Sequence, residues 1–143
     1  MQVRPFQLSD YSFVNRLLSE ALSAECYAET IEAFARQLSW DSELVLVAES
    51  NGQIVGTIIG TIDNNQGYYY RIAVRSDSRR KGVGRSLITA LKTRFNNRNV
   101  SKSLIPIDTH NEYVVPLFQS LGFDTADFTH KMQDLKIVNG KLA

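Results

Sequence analysis

The chain has 143 residues, 43% of them apolar, with a formal net charge of +1 and a single cysteine, Cys26. That length suits one domain with its own core, residues 1–143, and the balanced charge excludes a polyelectrolyte surface for nucleic acid or membrane. The lone cysteine excludes an internal disulfide, no apolar run approaches the roughly 20 residues of a membrane span, and MQVRPFQLSD is not a signal peptide; a cytoplasmic protein is expected.

In chain order, Val3 to Phe6 reads as an extended start, with Pro5 confining it to a sheet edge. Ser9 or Asp10 can cap a helix in which Phe13, Val14, Leu17, Leu18, Ala21 and Leu22 recur at helical spacing. A second helix is predicted over Thr30 to Leu38, with Ile31, Phe34, Ala35 and Leu38 inward. The stretch between them, Ser23 to Glu29, has no clear period. Glu43 to Glu49 and Gln53 to Ile62 form a hairpin through Asn51-Gly52. Gly56 and Gly60 mark places where another group comes close. A turn over Asp63–Gly67 then leads into Tyr68.

The stretch YYYRIAVRSDSRRKGVGRSL, residues 68–87, organises the rest. A strand ends at Val74, a polar turn follows, and Arg79, Arg80, Lys81 and Arg85 surround Gly82 and Gly84 where a helix must begin. The first N–H groups of a helix have no intrahelical acceptor and carry partial positive charge. Glycines let backbone approach an oxygen-rich ligand, and the cations add charge-assisted hydrogen bonds. Together these make a site for phosphate or pyrophosphate. A basic surface turn would share the arginines but not this order of strand, turn, G-x-G and amphipathic helix. The nucleotide P-loop pattern is absent, as is the third glycine of the dinucleotide fingerprint.

The helix after the loop turns Leu87, Ile88, Leu91 and Phe95 inward and leaves Lys92, Arg94 and Arg98 to solvent. Ser103 to Asp108 is a strand interrupted by Pro106, which has no N–H for a ladder. A helix opens at Asn111, with Val114, Leu117, Phe118 and Leu121 inward, Pro116 near its first turn and Gly122 as its cap. Phe123 to Asp127 and Phe128 to Leu135 read as two short strands, and Asn139–Lys141 as a frayed tail.

Arg79-Arg80-Lys81-Gly82-Val83-Gly84 resembles the R/Q-x-x-G-x-G/A signature of the GNAT family of N-acetyltransferases. Ile72-Ala73-Val74 resembles the family's "LAV", and N-x-x-x-x-x-L-F-x-x-L-G-F from Asn111 resembles its second signature. Within the family, motif order and length are similar to small bacterial members of the YpeA type and to ribosomal-protein alanine acetyltransferases. The resemblance implies an α/β (α+β) fold: a mixed, mostly antiparallel sheet of six or seven strands, about four helices, and a splay between the central strands. It implies acetyl-CoA as co-substrate, with the pyrophosphate on residues 79–85 and the pantetheine arm along Ile72, Ala73 and Val74. Asn111 and Phe118 occupy cofactor-contact positions. The activity implied is acetyl transfer to a primary amine, of a small molecule or a peptide N-terminus, by direct attack in a ternary complex. A monomer or a homodimer is compatible with it.

Two positions depart from the family pattern. The usual tyrosine acid is Phe118, and the glutamate base of the ribosomal-protein enzymes is Pro106. The base candidates left are Tyr70, Asp108 and His110, and Glu25, Tyr27 and Glu29 are candidates for acceptor contact. Cys26 has no histidine near it in sequence and is not read as a nucleophile. His110 and His130 have no ligand cluster, so no metal is expected. The departures keep open a second function, a non-catalytic acyl-CoA-binding sensor of the same fold. A third, RNA or nucleotide binding, draws on residues 71–85 alone and lacks aromatic–basic interleaving.

Overall fold

The computed structural model describes residues 1–130. Among these residues, six strands lie in chain order across one sheet: β1 (Gln2–Pro5), β2 (Val45–Ser50), β3 (Gln53–Asp63), β4 (Gln66–Val74), β5 (Lys102–Pro106) and β6 (Phe128–Thr129). The first four pair antiparallel, while β4–β5 and β5–β6 are parallel. The hairpins close as their turn residues require: Asn51 and Gly52 join β2 to β3 at φ +53 and +77, and Asn64 and Asn65 join β3 to β4 at +51 and +60. That second turn is shorter than Asp63–Gly67, so β4 begins two residues before Tyr68.

Helices cover both faces. On one, α1 (Tyr11–Ala21) and α2 (Ala24–Asp41) enclose Phe6, Val14, Leu18, Phe34, Tyr70 and Ala73. On the other, α3 (Val83–Asn97) and α4 (Val115–Ser120) pack over Leu46, Ile58, Tyr69 and Ile105. Leu87, Ile88, Leu91 and Phe95 are all buried along α3, as their spacing predicts, each contributing about 1.5–3 kcal/mol of apolar burial. The helix lies tight on β3: a Cβ on Gly60 would come within 2.8 Å of Leu91, and one on Gly56 within 2.8 Å of Val83. That close seating fixes where α3 begins, and so fixes the site.

Several expectations need correction. Phe13 is 54% exposed, because the α1 seam runs through Val14, Leu17 and Leu18. Residues 24–29 are helical: Ser23 caps α2 by accepting from the Cys26 N–H at 3.2 Å, so the helix starts six residues before Thr30. Its inward face is Cys26, Thr30, Ala33, Phe34 and Gln37, while Ala35 is exposed. Asp10 makes no side-chain cap for α1; it accepts from the Gln7 N–H at 2.8 Å and pairs with Arg4 at 2.8 Å. Arg94 and Arg98 pair with Glu43 and Asp41 rather than standing free in solvent. The helix expected from Asn111 is a 3-10 turn over Glu112–Val114 followed by the short α4, with Pro116 in the first turn where its missing N–H costs nothing. Residues 125–127 form a capped 3-10 turn instead of a strand, and the predicted last strand begins at Phe128 but extends beyond the described residues, as does the tail.

Candidate active site

The site begins where the sheet comes apart. β4 and β5 pair over Gln66–Tyr68 and Lys102–Leu104 and then separate. Past that point β5 turns to β6, through Ile105↔Phe128, Pro106↔Thr129 and an Ile107 N–H to the Thr129 carbonyl at 2.7 Å. Among the described residues, the edge of β4 from Tyr69 to Val74 therefore has no strand beside it on that side, and its backbone groups need another partner. A bulge falls in the same stretch: Ile59 pairs with Arg71 and Gly60 with Tyr69, so Tyr70 is the extra residue. The bulge breaks the alternation. Tyr69 and Ile72 face the α3 side, whereas Tyr70 packs in the α1–α2 core and Arg71 reaches α2.

At the top of that edge lies the glycine loop. Arg80 and Gly82 both have left-handed backbone, at φ +61 and +83, and Gly82 is the N-cap of α3 with no side chain to cap it. The first intrahelical bond runs from the Ser86 N–H to the Gly82 carbonyl at 3.0 Å, so the N–H groups of Val83, Gly84 and Arg85 have no acceptor within the helix. A cavity of about 380 Å³ opens onto them. Its floor is Ile72 and Val74 of β4, and its far wall is Tyr113, Val114 and Leu117. Gly84 lets the two walls meet, since a Cβ there would sit 3.0 Å from Leu117. Arg79, Arg80 and Arg85 line the mouth, and the Arg79 Nε donates to the Val74 carbonyl at 3.3 Å. Lys81 is exposed and stands outside the lining; among the described residues neither it nor Arg80 or Arg85 has an acidic partner. An apolar floor with a positive, donor-rich end suits a long ligand with a phosphate head.

Besides Lys81, three predicted contact residues are outside the cavity lining. Ala73 faces the α1–α2 core. Asn111 is buried and staples its own loop, donating Nδ2–H to the Pro106 carbonyl at 2.9 Å and accepting from the Asp108 N–H at 2.8 Å. Phe118 is 1% exposed among the rings of Tyr69, Phe123 and Phe128. Tyr113, which the sequence reading passed over, lines the cavity and is 62% exposed, within electrostatic reach of Arg79 and Arg71.

The other end of the open edge holds a polar cluster. Arg71, a charged residue inside an otherwise apolar strand, donates its Nε–H to the Thr30 hydroxyl at 3.1 Å and stands 3.6 Å from Asp108. Burial works to lower its pKa, but Tyr70, Cys26 and Asp108 outweigh that and hold the group charged. Its guanidinium carbon lies 4.9 Å from the centre of the Tyr70 ring. Burial pushes the Tyr70 phenol up, against the pull of Arg71, which favours the neutral hydroxyl, both a donor and an acceptor. Asp108 Oδ1 accepts from the His110 N–H at 2.8 Å, and His110 Nε2 lies 3.8 Å from Glu29. Of the three candidates on α2, Glu29 alone reaches this cluster: Glu25 is exposed, and Tyr27 donates its hydroxyl to Asn15. Cys26 is buried with its sulfur 3.8 Å from the Thr30 hydroxyl. His130 is exposed past β6, and the described residues hold no cluster of metal-ligating side chains. Among the described residues no helix is long and apolar enough to cross a membrane.

Comparison with known proteins follows this geometry. The sequence model of the acetyltransferase (GNAT) family matches residues 12–123. An acetyltransferase of Yersinia enterocolitica is 32% identical over 127 residues, covering 89% of this chain and 90% of that protein. Among solved structures, the ribosomal-protein-alanine N-acetyltransferase from Brucella melitensis matches with a TM-score of 0.71 at 22% identity, over 87% of this chain and 85% of that one. The PaiA N-acetyltransferase from Thermoplasma acidophilum, in complex with coenzyme A, matches with a TM-score of 0.71 at 15% identity, over 86% of this chain and 89% of that one. The two structural matches are likenesses of fold.

Proposed function

The chain belongs to the acetyltransferase (GNAT) family and is an N-acetyltransferase; from that premise we propose that its co-substrate is acetyl-CoA, bound along the open edge of β4, and that a primary amine attacks the thioester directly. The observation that carries this reading is the continuity of the unpaired β4 edge with the glycine cradle at the start of α3. The cradle fits the co-substrate: bare N–H groups at Val83, Gly84 and Arg85 for a pyrophosphate, Arg79, Arg80 and Arg85 around it, and an apolar floor for a thin arm. Bound there, acetyl-CoA supplies the activated acyl group.

Acetyl transfer makes one C–N bond and breaks one C–S bond, while the amine loses a proton and the thiolate gains one. The unpaired stretch at Tyr70 to Ile72 offers backbone N–H donors to the carbonyl oxygen as charge builds on it. The Asp108 side chain, 21% exposed at the other lip, accepts from an incoming ammonium and takes its proton directly or through water. Tyr70, held neutral by burial, orients the acceptor through its hydroxyl. The buried Phe118 cannot return a proton to sulfur, and a thiol of ordinary pKa, about 8.5, leaves tolerably as thiolate near neutrality. We assign that part to Tyr113, the exposed phenol of the cavity's far wall.

Calorimetric titration with acetyl-CoA, followed by thiol-release assays over amines and short peptides, tests the reading. Binding at one site with acceptor-dependent thiol release is expected. Binding with no release beyond slow hydrolysis transfers the chain to the sensor function, and no binding removes both.

A further inference from the structure

We infer that the acceptor is an amine that also carries a carboxylate, and that Arg71 is the subsite that takes the carboxylate. The inference rests on the acetyltransferase reading and narrows its substrate class.

The Arg71 side chain is 1% exposed, yet among the described residues neither Nη1 nor Nη2 has a hydrogen-bond partner. Its hydrogen bond of good geometry runs from Nε to Thr30, and the neighbouring Tyr70 hydroxyl adds a weak hydrogen-bonding influence on its charge. The nearest carboxylate oxygen, Asp108 Oδ2, is 3.6 Å from Nη2, too far for a hydrogen bond, and the other Asp108 oxygen is engaged by the His110 N–H. A guanidinium whose whole role was to brace β4 against α2 would direct its fork at protein acceptors, because buried unsatisfied donors are costly. Here the paired Nη edge, the part that matches a carboxylate in a bidentate fit, is the part left without one.

Its position agrees with that role. Arg71 lies in the stretch of β4 that β5 leaves open, reaching toward α2, while its neighbour Ile72 floors the co-substrate cavity on the α3 side of the same open edge. The charges around it are also ordered. The cation is buried, while Asp108 and Glu29, with side chains 21% and 55% exposed, stand nearer the rim. An acceptor with a carboxylate and an ammonium meets the opposite charge at each end. A plain polyamine would bring a second cation against a buried one whose carboxylate neighbour, Asp108, stands 3.6 Å away. Entry of the carboxylate moves the Asp108 side chain aside and replaces a long contact with two in-plane hydrogen bonds.

The test uses a panel of free amino acids, each paired with its carboxamide, at saturating acetyl-CoA, in the natural protein and in Arg71→Met and Arg71→Lys. For the natural protein kcat/KM should favour acid over amide by roughly a hundredfold, the low end expected where a buried charge loses its hydrogen-bonded counter-charge. In Arg71→Met that ratio should fall to within about threefold of unity, with Arg71→Lys between, while calorimetric Kd for acetyl-CoA stays the same. A bracing role alone would lower stability and activity without moving the acid-to-amide ratio. If the variants do not fold, the acid-to-amide ratio of the natural protein decides by itself. Equal use of acid and amide, turnover on neutral amines or peptides alone, or a ratio that survives Arg71→Met overturns the subsite and leaves the acetyltransferase reading standing. Failure of the natural protein to bind acetyl-CoA overturns that reading first, and the subsite with it.

Discussion

The two ends of the open β4 edge are built from different material. The cradle is contiguous chain, residues 79–85, and most of what it offers is backbone: the left-handed Gly82 and the bare N–H groups of the first turn of α3. The polar cluster is assembled from three elements. Thr30 of α2 lies 41 residues before Arg71 on β4, and Asp108 follows β5. The cradle's cations stand in solvent, whereas the cluster's cation is almost wholly buried. A solvated cradle tolerates charge at little cost and binds through geometry. A buried cluster holds its charge at high cost and gains selectivity from it.

The largest predicted effect strikes the cradle. Gly82→Val together with Gly84→Leu forces a β-branched residue to φ +83 and drives a side chain into Leu117. Acetyl-CoA Kd should rise by roughly a hundredfold or more, about 2.7 kcal/mol, with the helical circular dichroism retained. Normal binding by this double variant would move the co-substrate away from the cradle and dissolve the contrast altogether.

Asp108→Asn tests the other end. The amide keeps an oxygen for the His110 N–H but removes the carboxylate nearest to Arg71. Because the pair is long and Asp108 partly exposed, the loss should sit below that of a fully buried pair, at about 1–3 kcal/mol in urea unfolding. Acetyl-CoA affinity should not change. An unchanged stability would mean that Arg71 has no need of a counter-charge, and that the two ends differ less than their burial suggests.

The same difference explains what could be read from the sequence. The cradle was legible because turn chemistry, a glycine pair and a helix start are local signals, as were the hairpin at Asn51-Gly52 and the buried stripe from Leu87 to Phe95. The inward face of α2 was not, because apolar spacing points to Ile31 and Ala35. The structure instead buries Thr30, which accepts from Arg71, and Gln37, whose Nε2–H reaches the Asp41 carbonyl at 2.9 Å. Polar residues buried to meet a distant partner leave no period behind. Arg71 did leave a trace, as a full charge inside YYYRIAV, but its meaning needed the bulge and the splay. Phe118 was read as a cofactor-contact position because the motif places it there; the short, Pro-started α4 turns it into the aromatic core.

That placement sets a smaller prediction. Phe118→Tyr would restore the family's usual residue, yet the ring packs at 5.4 Å from both Tyr69 and Phe123. A hydroxyl added there is buried, so a loss of about 1–2 kcal/mol in thermal unfolding is expected, with no gain in kcat. A rise in kcat would show that the ring turns toward sulfur and joins the co-substrate end.

The smallest effect separates charge from geometry within the cradle itself. Arg80 and Lys81 are exposed and have no acidic partner among the described residues, so their attraction for a phosphate is exerted mostly through water. Arg80→Ala with Lys81→Ala should therefore weaken acetyl-CoA only about three- to fivefold at low salt, on the scale of exposed ion pairs. The difference should shrink toward nothing as ionic strength approaches 1 M, where the screening length is about 3 Å. Backbone N–H groups are not screened in the same way, so the Gly82→Val, Gly84→Leu defect should persist across that range. If both defects vanish together in salt, the cradle holds its ligand by charge alone, and the distinction between a geometric and an electrostatic end fails at its simpler half.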